Sequence, residues 1–372
     1  MKITDLEVVT VSIPVKPLGQ GGIAPYRGSR DPVGTSKAVS SLFKLTTEDG
    51  LVGWGEMSPI ISPKVTMALV EDFLRPRLIG KDIFRQREII ASFAPIYSPH
   101  INTAAFASGV EMALWDVTGK ALGRPVSDLF GGRMRERIAL AYCFGITDEA
   151  ETRDQVAEVR RLGYRALKTK GGASVRDDIE RAFWLADAAR GDIAIRVDMN
   201  QSYSAPDALA YLAVVDAYQF QYIEQPIASN NFEGLRSLKY RGRTPIAINE
   251  DAYVPQNILR AVNEGCIDAA VLDLDHAGGL MEVAKLAALA DEARLPLSQH
   301  CGWDMGIKVA AILQLSAALP AFSYEMDSTY FAHAGDILAE PIAITGGHMD
   351  VPTGPGLGVV VDEDKIRHYR IA

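Results

Sequence analysis

The chain has 372 residues, 48% of them hydrophobic, and its 47 acidic and 38 basic side chains leave a net charge of −9. That balance speaks against non-specific nucleic-acid binding, and no apolar run reaches the roughly 20 residues a membrane-spanning helix needs. Three scattered cysteines, Cys143, Cys266 and Cys301, lack zinc spacing and fit a reducing compartment. The expectation is a cytoplasmic enzyme of two domains, or of one large barrel with an appendage.

The opening "MKITDLEVVTVSIPV" alternates like a β-strand and does not read as a signal peptide. Residues 38–56 give two more strand-like runs around the turn signal "EDG". Between them, residues 17–37 form a Gly-, Pro- and Ser-rich loop carrying Tyr26, Arg27 and Arg30. A loop of that length in a compact domain is usually functional or disordered. From about 64 to 130 the pattern turns helical, with a strong stripe over 103–123 ending in glycine. From about 137, short apolar strands alternate with amphipathic helices. Candidate strand ends fall at Phe144, Lys170, Asp198, Glu224, Glu250, Asp273, His300 and Glu325, spaced 23 to 28 residues apart. So even a rhythm predicts parallel βα units closed into a barrel, with an open α/β sheet as the alternative. No G-x-G-x-x-G opens a helix after the first strand, which leaves a dinucleotide fold without support.

Most of these strands end in an ionisable residue. Taken singly, an Asp or Glu after a strand reads as a helix cap or a solvated loop residue. Six in register call for partners or a metal, since buried isolated charge is costly. Asp198, Glu224 and Glu250 come from consecutive strands. An oxygen-only set suits a hard cation, Mg²⁺ first and Mn²⁺ next. "NED" offers Glu250 or Asp251 as the third ligand; Glu250 is preferred, with Asp251 behind it. Lys168 and Lys170, two apart, share one strand face beside that set. A desolvated lysine near another cation loses basicity and serves as a neutral base, so Lys170 is read as base with Lys168 assisting. Across the barrel, Asp273 and His300 sit on adjacent strands, where a carboxylate fixes the imidazole tautomer. Asn200 shares the face of Asp198 and is expected to orient a substrate or a lysine; His276 is read as a loop residue lining the mouth.

Such a site suits removal of a proton α to a carboxylate, with the enolate stabilised by the cation. Bases on opposite faces, Lys170 and His300, allow racemisation, or dehydration when the second acts as an acid on a β-hydroxyl.

At these residues the chain resembles the enolase superfamily, and within it the mandelate racemase-like subgroup. The resemblance runs through "DGLVGWGE", "SGVEMALWDVTGKALGRPVSDLFGG", "YRALKTKGG", "VDMNQSY", "YIEQPI", "INED", "DLDHAGGL" and "LSQH" to "GGHMDVPTGPGLGV". It implies a modified (β/α)7β barrel over 131–340 and an α+β capping domain over 1–130, to which the tail from about 340 returns. It also implies that Lys168 and Lys170 are the K-x-K pair, that Asp198, Glu224 and Glu250 bind the metal, and that Asp273 and His300 form the Asp–His dyad. Glu325 would hydrogen-bond the substrate carboxylate from the eighth strand. The muconate lactonizing subgroup has a lysine near the end of the sixth strand, whereas this chain reads "AAVLDLDHAGG". Members of the family are homo-oligomers, usually dimers or octamers.

The capping loop sets substrate choice in this family. Arg27 and Arg30 suit a bidentate grip on a distal carboxylate, against the plain reading that both are solvated. The apolar stretch 56–63 is expected to shield the site, and Trp303, with Cys301 and Asp304, to line it. The resulting expectation is an acid-sugar dehydratase yielding a 2-keto-3-deoxy acid. A racemase or epimerase of a 2-hydroxy acid comes next, then a lactone cycloisomerase or a non-catalytic metal-binding barrel.

Overall fold

The computed structural model describes residues 1–58, 62–93 and 104–372. The N-terminal region is built on an antiparallel sheet. Strand β1 (Ile3–Pro14) pairs with β4 (Lys37–Thr47), which pairs with β5 (Val52–Met57). Between β1 and β4, the Gly-rich loop contains a small hairpin of β2 (Tyr26–Gly28) and β3 (Asp31–Thr35). The helix Ala104–Leu122 packs on β5 so closely that a Cβ on Gly53 or Gly55 would overlap the carbonyl oxygens of Ala113 and Gly109. The glycines of "VGWGE" therefore bring sheet and helix together, and the alternate residue Glu56 is left to face the barrel.

Eight parallel strands follow: β6 (Arg137–Phe144), β7 (Ala166–Lys170), β8 (Ala194–Asp198), β9 (Tyr222–Glu224), β10 (Ile246–Ile248), β11 (Ala269–Leu272), β12 (Leu297–Gln299) and β13 (Met326–Ser328). Strands β6 to β12 lie side by side in sequence order, each paired with its neighbours, and β13 returns to pair with β6. Leu297 of β12 bridges to Phe322, just ahead of β13. The seven connections carry the helices Glu149–Arg161, Val175–Ala189, Ala205–Val215, Phe232–Arg241, Pro255–Asn263, Leu280–Glu292 and Gly306–Ala318. The strands are short and almost wholly buried, as a barrel covered on both faces requires. Side chains mark several helix starts: Asp148 and Glu151 form a reciprocal cap, and Ser174, Ser204 and Asn231 accept from their first turns.

After the barrel, β14 (Ile344–Thr345) and β15 (His348–Asp350) form a hairpin, and β15 pairs antiparallel with β6. The tail then runs past Pro125 and Val126 and ends against β1, where Thr10 N–H donates to Ala372 O at 3.0 Å. Among the described residues, no helix is long and apolar enough to cross a membrane.

Candidate active site at the strand ends

Parallel pairing places Lys170 level with Asp198, and Asp198 level with Glu224. The polar ends of β7, β8 and β9 thus meet at one rim of the barrel, where such barrels carry their chemistry. Lys168 is buried; its Nζ lies 2.7 Å from Glu224 and 2.8 Å from Asp327 Oδ2, with Asp198 at 3.6 Å. Lys170 Nζ donates to Asp198 Oδ2 at 2.6 Å and to Asn200 Oδ1 at 2.8 Å. Asn200 takes a left-handed backbone conformation, φ +43°, and also donates to Glu250 Oε1 at 3.2 Å. It tethers the lysine to the third carboxylate.

Among the protein's own groups, each lysine is governed by its carboxylate partners. Burial, and after it Lys168, pull Lys170 down, but the charge and hydrogen bond of Asp198, with Glu224, together hold the ammonium above its ordinary value. Lys168 behaves alike: burial opposes its charge, and Asp327, Glu224 and Asp198 prevail. Burial would also raise Asp198, but Lys170 and Lys168 hold it well below the usual carboxylate range. Glu224 is pushed up to about 8, by burial first and then by Asp198.

Asp198, Glu224 and Glu250 are the carboxylates whose oxygens would suit a hard divalent cation, and Glu250 Oε2 is buried without a hydrogen-bond partner. Among the described residues no three such side chains are gathered on one point. The lysine ammonium groups lie on Asp198 and Glu224 instead. Asp251 turns the other way: its carboxylate accepts from Gln225 Nε2 at 2.8 Å and from Asn230 N–H at 2.6 Å. It fastens the loop behind Glu250, which itself lies two residues past β10 in a single helical turn, Glu250–Tyr253.

On the other flank, His300 Nδ1 lies 2.8 Å from Asp273 Oδ2. The second oxygen of Asp273 accepts the backbone N–H groups of Asp275 at 2.7 Å and His276 at 3.1 Å. Burial would raise Asp273, yet Lys308, His276 and His300 hold it well below its ordinary value. His276 Nδ1 stands 3.0 Å from Asp273 Oδ1, and its ring stacks on Tyr253 with centroids 3.8 Å apart. Burial lowers His276, but the bond to Asp273 more than restores it.

The cap contributes less than expected. The ring of Tyr26 meets Trp303 edge-on, centroids 5.0 Å apart, and Trp303 has φ +67°. Arg27 does not face the site: its guanidinium lies 3.9 Å from Glu151 on the barrel's first helix, and its backbone packs on Gly145 and Ile146. Arg30 is exposed on the hairpin. Of the stretch 56–63, residues 59–61 lie outside the described residues.

Glu325 is the clearest correction. It precedes β13 instead of ending it, and its carboxylate is held by buried Arg196 at 2.5 Å and by Gln221 at 3.4 Å. The acid of the eighth strand that joins the lysines is Asp327, which is level with Ala141 and bridges Lys168 and Arg196. Sequence reasoning also missed Lys308, in the first turn of the helix Gly306–Ala318. Its Nζ lies 2.8 Å from Asp275, 2.9 Å from Asp304 and 3.4 Å from Asp273. The signal for Asp327 was available, since it follows Glu325 by two on the same strand face. Lys308 gave none, being one cation in an apolar helix. A separate cavity of about 890 Å³, walled by Tyr164, Phe331 and the C-terminal tail, includes no member of this site.

A parallel βα barrel with paired lysines, three rim carboxylates and an Asp–His pair gathers the groups that acid–base catalysis requires. The chain belongs to the mandelate racemase/muconate lactonizing enzyme family of the enolase superfamily. Residues 20–131 match the Mandelate racemase / muconate lactonizing enzyme, N-terminal domain, and residues 151–365 match the Enolase C-terminal domain-like model. D-galactarolactone cycloisomerase of Agrobacterium fabrum is 28% identical, covering 89% of this chain and 91% of the relative. D-gluconate dehydratase of Thermoproteus tenax is also 28% identical, covering 90% and 70%. The crystal structure of muconate lactonizing enzyme from Pseudomonas fluorescens complexed with muconolactone superposes with a TM-score of 0.91 at 27% identity, covering 100% of this chain and 99% of that one.

Proposed function

We propose that the enzyme removes the proton α to the carboxylate of an acid sugar, mono- or diacid, and eliminates the β-hydroxyl to give a 2-keto-3-deoxy acid. The observation that carries this reading is the pair of proton-transfer groups on either flank of the carboxylate strands. Lys170 lies on β7, beside β8, while His300 follows β12 and is tied to Asp273 at 2.8 Å. Mg²⁺, or Mn²⁺ in its place, would be held by Asp198, Glu224 and Glu250 and would stabilise the enolate charge.

Lys170 takes the Cα proton in its neutral form, positioned by Asn200. Lys168, held by Glu224 and Asp327, supplies positive charge beside the substrate carboxylate. Because His300 Nδ1 is engaged by Asp273, Nε2 is the nitrogen left to protonate the departing hydroxyl. Similarity to D-gluconate dehydratase supports this reading.

A second reading, cycloisomerisation of an acid-sugar lactone, is favoured by the similarity to D-galactarolactone cycloisomerase. It uses the same two groups without net loss of water. Incubating the enzyme and Mg²⁺ with a panel of acid sugars and their lactones, followed by mass spectrometry, separates the two. A product 18 mass units lighter, scored as a 2-keto acid, supports dehydration. An isomer of unchanged mass from a lactone replaces it with the second reading.

A further inference from the structure

Lys308 has no part in the reaction as described, yet its surroundings are unusual. It is buried, and three buried carboxylates from two strand ends converge on it. Asp273 and Asp275 follow β11, and Asp304 follows β12. A fourth carboxylate arrives from the capping sheet: Glu56 accepts the backbone N–H of Lys308 at 2.8 Å and of Met305 at 2.6 Å. Ser58 N–H donates to Asp275 at 3.0 Å, so cap and barrel share this cluster. A surface lysine would suffice to neutralise one carboxylate, and burying an ammonium is costly unless each of its donors is used.

The important contact is with Asp273 Oδ2, the same oxygen that holds His300 Nδ1. In an isolated Asp–His pair the full carboxylate charge stabilises the imidazolium and makes it a poor acid. Here an ammonium shares that oxygen. We propose that Lys308 is a positioning residue of the reaction, acting through the shared oxygen of Asp273 to fix the His300 ring and to draw part of the carboxylate charge away from it. The inference rests on the reading of His300 as the acid of the site. The ionisable groups around the cluster are Asp273, Asp275 and His276 from the end of β11, His300 and Asp304 from the segment after β12, and Glu56 from β5. Asp304, 2.9 Å from Lys308 Nζ, competes with Asp273 for the ammonium and limits the effect.

The test is direct titration of the His300 ring by NMR in the full-length, histidine-labelled protein, with the signal assigned by its loss in His300→Asn. Lys308→Met is expected to raise the His300 midpoint by about half a pH unit or more, roughly a threefold gain in proton affinity. Asp304→Asn is expected to move it the opposite way, and it decides the question if Lys308→Met does not fold. An unmoved midpoint in the folded variants, or a rise in Asp304→Asn, overturns the proposal. In turnover, Lys308→Met should lower kcat at near-constant KM and carry the alkaline limb of the pH profile upward. A purely structural lysine would leave that limb in place. The titration needs no substrate. If the midpoint moves as expected but no acid sugar is dehydrated, the functional reading fails and the role of Lys308 in setting His300 stands. Dehydration with an unmoved midpoint refutes Lys308 alone.

Discussion

The two flanks of the barrel rim are charged in different ways. On the β7–β9 side, lysines and carboxylates are each other's partners, with Lys170 on Asp198 and Lys168 on Glu224 and Asp327. These are contacts between side chains, and on the proposed function a cation or a substrate would exchange for them. On the β11–β12 side, Asp273 is fixed by backbone N–H groups and by Lys308, and it fixes His300 in turn. One flank is built to be rearranged and the other to hold a ring still. That division suits the proposed reaction, in which one flank takes the Cα proton and the other protonates the departing hydroxyl.

Breaking the exchangeable flank should have the largest effect. Lys170→Ala should lower turnover by about a thousandfold or more while circular dichroism and melting temperature stay near those of the parent; a variant that keeps its activity removes Lys170 as base. Glu224→Gln should weaken Mg²⁺ binding by at least about tenfold in calorimetry, and unchanged affinity would take Glu224 out of the donor set.

Glu325→Gln sharpens the comparison from below the rim. Its partner is Arg196, so the expected loss is about 1–2 kcal/mol of stability in urea unfolding, with turnover within about twofold of the parent. Lost turnover at unchanged stability would return Glu325 to the substrate. Arg27→Ala should have the smallest effect. Its ion pair with Glu151 is half-exposed and worth about 0–0.5 kcal/mol. The ratio of KM for diacid and monoacid substrates should not change; a selective rise for diacids would restore the distal-carboxylate role.

Depth along a strand is what the sequence concealed. The ends at Phe144, Lys170, Asp198 and Glu224 were legible because each closes an apolar run, and Asp273 and His300 each directly follow one. In "SYEMDS" the acids at 325 and 327 point to the same face, and only the pairing of Met326 with Leu140 tells which reaches the lysines. Asp198, Glu224 and Glu250 could be placed on neighbouring strands, but not the ammonium groups that lie on two of them. The arginines of the 17–37 loop looked free because the partner of Arg27, Glu151, lies on a helix more than a hundred residues later. Lys308 sits in "GIKVAAILQL", where one lysine in an apolar helix reads as its solvent edge.

The most direct test follows the α-proton by ¹H NMR in D₂O, with Mg²⁺ and an acid sugar that the enzyme consumes, in the parent, Lys170→Ala and His300→Asn proteins. The account predicts a 3-deoxy product from the parent, exchange of the α-proton without loss of water from His300→Asn, and neither from Lys170→Ala. Exchange that survives in Lys170→Ala and disappears in His300→Asn would contradict it.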